Sequence, residues 1–213
     1  MKYPFLFVII LLSAAFASAQ KNYKPGYVVM LNGDTVKGRV LYKKEGKDFK
    51  FVCMIKPGAA EPEQFPAGQT AGFGVYGVAS YQSFAVRISQ DTPLDMRFTF
   101  GEDTTTVVDK VFLRRLISGP NITLYSYTDE IKQRFFISEK NGVPLELEYH
   151  EYVDAINQLN PVTDARYKIQ LQKLRAIYQS ADKALINQIQ EADYDILHLA
   201  KIAARLNIKS TAN

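Results

Sequence analysis

Apolar and polar residues alternate along much of the chain between Gly26 and Tyr149, which is the pattern of strands with one buried face. In residues 35–43, for example, Val36 and Val40 fall on one side while Lys37 and Arg39 fall on the other. The same alternation predicts further strands at residues 48–55, 70–76, 80–89, 95–100, 104–117, 122–127, 132–138 and 143–149. Turn-forming segments separate them at residues 56–58, 62–68, 90–93, 101–103, 118–121 and 141–142. Many short strands joined in this way predict an antiparallel barrel or sandwich.

Two of these segments give the sharpest structural predictions. Asn32-Gly33-Asp34 supplies residues that accept positive φ angles, so a tight hairpin is expected to join the first two strands. Gly38, just after this turn, predicts a strand bend or a close backbone approach. In residues 143–149 the apolar positions are strictly alternate, which predicts a two-faced strand: Val143, Leu145, Leu147 and Tyr149 on one face, and Pro144, Glu146, Glu148 and His150 on the other.

After His150 the apolar spacing changes to the period of a helix. A short stripe comes first, and Asn160-Pro161 is expected to end it and to start a new helix with Asn160 as its cap. The three stripes are Tyr152/Val153, Ile156 and Leu159; then Tyr167, Leu171, Leu174 and Tyr178; then Leu185, Ile189, Ala192, Ile196, Leu199, Ala203 and Leu206. The third stripe suits one helix, or two if Asp193 caps a fresh start near residues 191–193. Packing within the chain is favoured for it over a coiled-coil partner.

These elements predict an α+β protein with two parts. An antiparallel β-barrel-like or sandwich domain is expected over residues 20–149, and a helical unit over residues 150–207, with a frayed tail at residues 208–213. The length and the 47% content of hydrophobic residues suit one to two domains with a sizeable core.

The N-terminal residues have the order of a secretory signal peptide. Lys2 precedes an apolar run over residues 5–12, and Ala17-Ser18-Ala19 is a small-residue cleavage site, so cleavage is expected before Gln20. The apolar run is shorter than the roughly 20 residues that a spanning helix needs. An uncleaved anchor is the alternative. The predicted location is therefore periplasmic or extracellular, with no transmembrane segment in the mature chain; an outer-membrane barrel is disfavoured because several predicted strands are short.

Charge excludes one class of partner and leaves another open. The formal net charge is +4, and removing Lys2 leaves 25 basic and 22 acidic residues, which is too balanced for nucleic-acid binding. One basic cluster stands out, and a solvated strand face is favoured for it over a dock for anionic lipid or glycan headgroups: Lys37, Arg39, Lys43, Lys44, Lys47 and Lys50. Cys53 is the single cysteine and is expected to be a buried, inert thiol.

No motif in the chain predicts catalysis, and no catalytic, cofactor-binding or metal-binding residue is assigned. The string GFGVYG, residues 72–77, matches a dinucleotide fingerprint in letters only, because a strand-like segment follows it; Gly77 is better explained as a hairpin turn. Asp195 and His198 could hold one edge of a metal site with Asp193, but a polar helix surface is favoured. Turn positions are expected for the acidic sets Asp91/Asp95 and Glu102/Asp103.

Two further alternatives remain open. Two carboxylates across a cleft leave no spacing signature, so a glycosidase-like site is possible without a motif. Tyr125 and Tyr127 share one side of a strand, with Leu124 on the other. This aromatic side suits glycan or peptide binding, but packing in the sheet is favoured.

Three segments resemble a family of uncharacterised exported proteins of Gram-negative bacteria. PGYVVMLNGDTVKGRV is similar to the G-Y-x-x-x-x-N-G-D-T-x-x-G hairpin with which members begin, and VFLRRLISGPNITLYSY is similar to the family's central hairpin. ILHLAKIAARLN resembles its closing helix, with Leu206-Asn207 in place of Tyr-Asn, while Ala181-Asp182 stands where members often have Asp-Cys. The resemblance implies architecture and export, and it implies no activity.

Together these patterns favour a non-enzymatic cell-envelope protein that acts by binding. An envelope protein, a glycan or a lipid headgroup is the expected kind of partner, no cofactor is predicted, and the oligomeric state stays open. A periplasmic hydrolase acting on glycan or lipid is the alternative. An open pocket with converging carboxylates or a metal would favour it.

Overall fold

The computed structural model describes residues 22–42, 50–96, 100–140, 142–154, 156 and 160–208. The predicted signal peptide, most of the basic cluster's lysines and nearly all of the predicted tail lie outside the described residues.

A ten-stranded antiparallel sheet forms most of the molecule, in the order β10-β9-β8-β7-β6-β5-β1-β2-β3-β4. Its strands are β1 (Tyr23–Met30), β2 (Thr35–Leu41), β3 (Phe51–Ile55), β4 (Glu63–Pro66), β5 (Thr70–Val75), β6 (Ala79–Ser89), β7 (Thr106–Ser118), β8 (Ile122–Thr128), β9 (Gln133–Glu139) and β10 (Leu145–Glu146). A separate ribbon pairs β11 (His150–Val153) with β12 (Pro161–Asp164). The helices are α1 (Arg166–Tyr178), α2 (Lys183–Gln190) and α3 (Ile196–Leu206). The predicted α+β class is confirmed, and the sheet is open rather than closed into a barrel.

The β1–β2 hairpin confirms the turn predicted at Asn32-Gly33-Asp34. Gly33 has φ +91° and its N–H donates to the Met30 carbonyl at 3.0 Å. The Asn32 side chain accepts the Asp34 N–H at 3.0 Å, which closes the turn locally. Gly38 is a close approach, because a Cβ there would lie 2.5 Å from the Ile55 carbonyl oxygen of β3. Gly77, with φ +68°, is the predicted turn between β5 and β6.

Three apolar clusters fill the two faces of the sheet. The helices cover β8 and β9, where Leu124 and Phe135 pack against Tyr167, Leu185 and Leu199. A second cluster, around Val28, Val40, Met54, Phe73 and Phe112, packs along the sheet from β7 to β3. Tyr125 and Tyr127 belong to a third cluster with Val86, Val111 and Phe136. The expected packing of these tyrosines, on the side opposite Leu124, is confirmed.

The segment from Val143 to Ala165 contradicts the predictions made for it. Within residues 143–149 only Leu145–Glu146 forms a strand, Leu145 is 68% exposed, and the Glu146 carboxylate points inward to Ser89. The predicted two-faced strand is therefore wrong, because a buried polar contact sets the orientation of Glu146 rather than the apolar alternation.

The short helical stripe and the helix start at Asn160-Pro161 are also wrong. Tyr152 and Val153 lie in β11, Ile156 is 95% exposed, and Leu159 lies outside the described residues. Pro161 is instead the first residue of β12, a position where its missing N–H costs no ladder hydrogen bond. Pairing with β11 determines this structure, and the next helix begins only at Arg166.

Other boundaries differ in smaller ways. Residues 62–68, predicted as a turn, contain β4, which pairs with β3, and Cys53 is half-buried because Val52 and Met54 occupy the inner side of β3. In the predicted strand at residues 95–100, the Met96 N–H closes a turn on Pro93, and Phe100 makes an isolated parallel bridge to Val153.

The third helical stripe is split between α2 and α3. Asp195, rather than Asp193, caps α3 by accepting the His198 N–H at 2.8 Å. The restart rotates the apolar face, so Ile202 is fully buried while Ile196 is 39% exposed. The second stripe is confirmed, with Tyr167, Leu171 and Leu174 buried in α1.

Candidate functional site

A polar cavity of about 430 Å³ lies where β6 and the start of β7 meet β10, β11 and α1. Its charged lining groups come from Arg87 in β6, Glu146 and Glu148 around β10, His150 in β11 and Arg166 in α1. Threonine hydroxyls, Pro144 and the exposed Leu145 complete the wall. The cavity therefore offers hydrogen-bond donors and acceptors together with an apolar surface.

Gln170 in α1 and Tyr194, just before α3, fix the wall that contains Glu146 and Glu148. Gln170 of α1 donates to the Glu146 carbonyl and accepts the Glu148 N–H, both at 2.9 Å. The Tyr194 hydroxyl donates to the Leu147 carbonyl at 2.6 Å and accepts the Phe135 N–H at 3.1 Å. These contacts replace the ladder bonds that a longer β10 would make, so an irregular segment is held firmly in place.

Glu146 joins β10 to β6 through both of its carboxylate oxygens. It accepts the Ser89 hydroxyl at 2.6 Å and the Ser89 N–H at 2.9 Å. Burial raises the pKa of this carboxyl, and the two bonds from Ser89 only partly oppose the increase. Glu146 is thus the carboxyl of the cavity whose protonation is made easier by its surroundings.

Behind Glu146, a fully buried guanidinium completes the polar connection between the strands. Arg134 donates to the Ser89 carbonyl from Nε at 2.9 Å and from Nη2 at 2.6 Å. Its Nη1 donates to Asp129 Oδ1 at 2.8 Å, and its Nε lies 3.9 Å from Glu146. A buried charge is tolerated here because nearly all of its donors have acceptors.

A second buried set contains Asp91, Lys132 and His150, with side chains at most 10% exposed. Lys132 Nζ donates to both oxygens of Asp91 at 2.7 Å and to the Tyr149 carbonyl at 3.2 Å. Burial alone raises the pKa of Asp91, but the contacts with His150 and Lys132 outweigh it and hold the pKa at about 2. Asp91 is therefore a carboxylate under all ordinary conditions.

His150 connects this buried set to the cavity. Its Nδ1 lies 3.2 Å from Asp91 Oδ2, and its ring lines the cavity. The contact with Asp91 raises the pKa of His150, although burial opposes the increase. A carboxylate on Nδ1 orients an imidazole and leaves Nε2 as its reactive or binding nitrogen.

The cavity's two arginines differ in how fully they are paired. Arg166 contacts three carboxylates: Glu102 at 2.7 Å, Asp164 at 2.8 Å and Glu148 at 3.7 Å. Arg87 donates to the Thr106 hydroxyl at 3.1 Å and makes no ion pair within the described residues. Arg87 is therefore the guanidinium of the cavity that remains available to a ligand.

The residues singled out by sequence fall in several places. The GFGVYG string is part of β5 and its hairpin turn, as expected. Asp193, Asp195 and His198 lie together, with possible ligand atoms within 4.8 Å of one another. Both oxygens of Asp195, however, are already bonded to His198, one to its N–H and one to Nδ1 at 2.8 Å. The cluster thus has an explanation as the cap of α3.

The cavity itself was not predicted from the sequence. The sequence pattern places Asp91 in a turn and both Glu146 and His150 on one face of a strand, and it indicates no role for Lys132 or Arg134. These residues are separated by up to 59 positions, and β-sheet pairing brings them together. The one sequence signal was indirect: several charged residues sit at strand ends beside apolar runs.

Comparison with protein-family models, with curated proteins and with solved structures found no match to this chain. Within the described residues, no helix has both the length and the apolar character that crossing a membrane requires.

Proposed function

We propose that the protein is an exported cell-envelope protein that acts by binding, and that its ligand occupies the polar cavity. The observation that carries this proposal is a cavity of about 430 Å³ lined by charged groups from four separate segments. Small-molecule sites usually have volumes of roughly 300–1,000 Å³ and a few convergent polar groups.

Export is supported by the order of charge, apolar run and small residues at the N-terminus, and by the resemblance of the first hairpin to exported proteins. Binding is favoured over a purely structural role because the fold keeps buried charges, which are costly unless they are paired. The paired charges lie beside the cavity wall and position its side chains before a ligand arrives, which lowers the entropy cost of binding.

The ligand class follows from the mixture of groups in the wall. The Glu148 carboxylate is an acceptor, whereas Arg87 and His150 are donors. A hydroxyl group both donates and accepts, so a hydroxyl-rich ligand satisfies both kinds of group at once. Pro144 and Leu145 provide apolar contact for the C–H surface of such a ligand. A glycan unit or the headgroup of a glycolipid has this chemistry.

The test is a calorimetric screen of the purified protein against mono- and oligosaccharides, sugar acids and lipid headgroups. Ligands found in the screen are then measured with Arg87→Ala, which should weaken binding by about tenfold. The matched control is Arg115→Ala. Arg115 is also an exposed strand arginine with one side-chain hydrogen bond, to Gln82 at 3.0 Å, and it lies outside the cavity lining. Equal binding by both variants would exclude the cavity as the site.

A hydrolase acting on glycan or lipid is the second candidate. The observation that favours it is Glu146, a carboxyl with a raised pKa that lines the same cavity as Glu148. General acids in glycoside hydrolysis have raised pKa values and work opposite a second carboxylate. Both oxygens of Glu146 already accept hydrogen bonds from Ser89, which favours the binding role.

The two candidates are separated by prolonged incubation of each bound ligand with the protein, followed by product analysis. Recovery of the intact ligand supports binding alone. Product formation that Glu148→Gln abolishes would establish the hydrolase instead.

A further inference from the structure

His150 has the geometry of a ligand-contacting donor. Its side chain is only 8% exposed, and the residue lines the cavity. Nδ1 is buried 3.2 Å from Asp91 Oδ2 without hydrogen-bond geometry, so this contact is a close charge interaction, and Nε2 makes no hydrogen bond to any residue that the structure describes. Because the two ring nitrogens lie on opposite sides of the ring, Nε2 is directed away from Asp91.

The charges around the cavity leave two cationic groups for a ligand. Arg166 is occupied by three carboxylates and is excluded. The Glu146 carboxylate is satisfied by Ser89 and lies near Arg134, so it does not neutralise His150 directly. Among the residues that the structure describes, the Arg87 side chain has only the Thr106 hydroxyl as a partner. Arg87 and the protonated form of His150 are therefore the two lining cations whose N–H donors are not all matched by acceptors among the described residues.

We propose that the ligand carries an anionic group, a carboxylate or a phosphate, and that His150 binds this group through Nε2–H while Asp91 orients the ring. This proposal rests on the cavity being the ligand site, and it narrows the hydroxyl-rich ligand to a sugar acid or a phosphorylated polyol. Charge-assisted hydrogen bonds of this kind are about twice as strong as neutral ones.

The proposal makes binding dependent on pH in a definite direction. The Asp91 contact raises the pKa of His150, so the imidazolium persists above the ordinary titration range of histidine. Anion binding is strong below the folded-state pKa and weakens as the pH rises through it. By linkage, a bound anion raises that pKa further. The charged groups that face His150 or share its cavity are Asp91, Lys132, Glu102, Glu146, Glu148, Arg87 and Arg166.

The chain contains two histidines, which makes proton NMR of the imidazole C–H signals a direct test. His198, on the surface of α3 and bonded to Asp195, is the internal reference. The probes are glucuronate, glycerol 3-phosphate and neutral glucose, each added at one pH below and one pH above the measured midpoint of His150. His150→Gln and His198→Gln assign the signals.

The expected result is that glucuronate or glycerol 3-phosphate shifts the His150 signal and raises its midpoint, while the His198 signal does not move. Affinity for that anion should fall by about tenfold or more above the midpoint, and in His150→Gln at low pH. Glucose should bind at least about tenfold more weakly than glucuronate. The titration of the unaltered protein stands on its own if His150→Gln fails to fold.

Two other results are distinguishable. If a screened ligand binds in an Arg87-dependent way but leaves the His150 signal unmoved, or binds equally above and below the midpoint, the role of His150 is overturned while the binding function stands. If neither the probes nor the wider screen yields a ligand that depends on Arg87, both proposals fail.

Discussion

The β1–β2 hairpin is held by its own turn, whereas the segment between β9 and α1 is held by side chains from distant parts of the chain. In the hairpin, Asn32, Gly33 and Asp34 bond to one another and to Met30. In the segment from Val143 to Ala165, the decisive contacts come from elsewhere. Ser89 and Gln170, for example, lie 57 and 24 positions from Glu146.

The locally held hairpin contributes to the shape of the sheet, whereas the segment held by distant contacts contains the candidate site. A locally encoded hairpin can form early and needs no charge inside the molecule. The non-local segment is where buried ionisable groups collect and where the cavity opens. Perturbed pKa values concentrate at functional sites for this reason, because the same burial that shifts them also excludes water around a ligand. Five sets of variants, in order of decreasing effect, test this contrast between local and distant contacts.

The largest loss of stability is expected for a buried apolar contact between parts of the chain that are distant in sequence. Ile202→Asp places a carboxylate at a fully buried position of α3 and should reduce the free energy of unfolding by more than about 4 kcal/mol. Ile196→Asp is the matched control. Ile196 is partly exposed and begins the helix, where a negative charge is favourable, so its cost should stay below about 1 kcal/mol. Urea unfolding measures both; similar losses would contradict the rotated face of α3.

Removing the buried guanidinium tests the polar connection between β6 and β9. Arg134→Ala leaves Asp129 and Glu146 without their buried cation, and should cost about 3–5 kcal/mol in the free energy of unfolding. Arg115→Ala, at an exposed position of β7, should change it by less than about 0.5 kcal/mol. Equal stability of Arg134→Ala and the unaltered protein would show that the charge contributes nothing to the fold.

Asn207 tests whether α3 is docked by polar contacts as well as by apolar ones. Its side chain accepts from the Asn121 and Ile122 N–H groups and donates to the Ile122 and Ala203 carbonyls, at 2.9–3.0 Å. Asn207→Ala should therefore lower the free energy of unfolding by about 2–3 kcal/mol. Asn187→Ala, on the exposed side of α2, is the control and should be nearly neutral. If Asn207→Ala and the unaltered protein have the same melting temperature, Asn207 does not help to dock α3.

Asp91 predicts a dependence of stability on pH. Its folded-state pKa of about 2 is below the ordinary value of 3.8, so its ionised form stabilises the fold above the ordinary value. That contribution, about 2 kcal/mol, is lost as the pH falls from about 4 to about 2. The raised pKa of Glu146 acts oppositely, since its protonated form stabilises the fold at low pH and this is lost as the pH rises.

Urea titrations over this pH range compare the unaltered protein with Asp91→Asn and with Asp95→Asn, a change at an exposed turn residue. Asp91→Asn should be less stable at neutral pH and should lack much of the acid-dependent loss. If the free energy of unfolding falls equally steeply with decreasing pH in all three proteins, Asp91 does not cause the acid-dependent loss of stability.

The smallest effect is expected in the hairpin. Gly33→Val forces a β-branched residue to φ +91°, which should cost about 1–2 kcal/mol. Gly68→Val is a close control, because an added Cβ meets nothing within 4 Å at either glycine and only Gly33 has a positive φ. Identical melting midpoints for the two variants would mean that backbone strain at Gly33 is unimportant.

Much of the sheet was predictable because strand alternation and turn chemistry are local properties. Residues 70–76 and 122–127 were predicted within one residue of β5 and β8, and Gly33 and Gly77 were correctly placed in turns. The helices α1 and α3 followed from apolar stripes, although the stripe could not show that Asp195 would restart the helix and turn Ile196 outward.

The candidate site was not predictable in the same way. The apolar alternation of residues 143–149 is as regular as that of the hairpin, yet Glu146 points inward because Ser89 and Arg134 lie there. Asp91 has the sequence surroundings of a turn, and nothing near it in the chain indicates that Lys132 and His150 will be its partners.

Local spacings in the sequence are sufficient to predict the α+β class, the hairpin turns and the helical C-terminal part, because each depends on residues a few positions apart. Three features depend on long-range contacts instead: β11 and β12 form a ribbon, Ile202 rather than Ile196 is buried, and His150 meets Asp91 at a cavity. The physical reason is that burial shifts pKa values and pairs charges according to distance in space, and a sheet of ten strands brings together residues that the sequence keeps far apart.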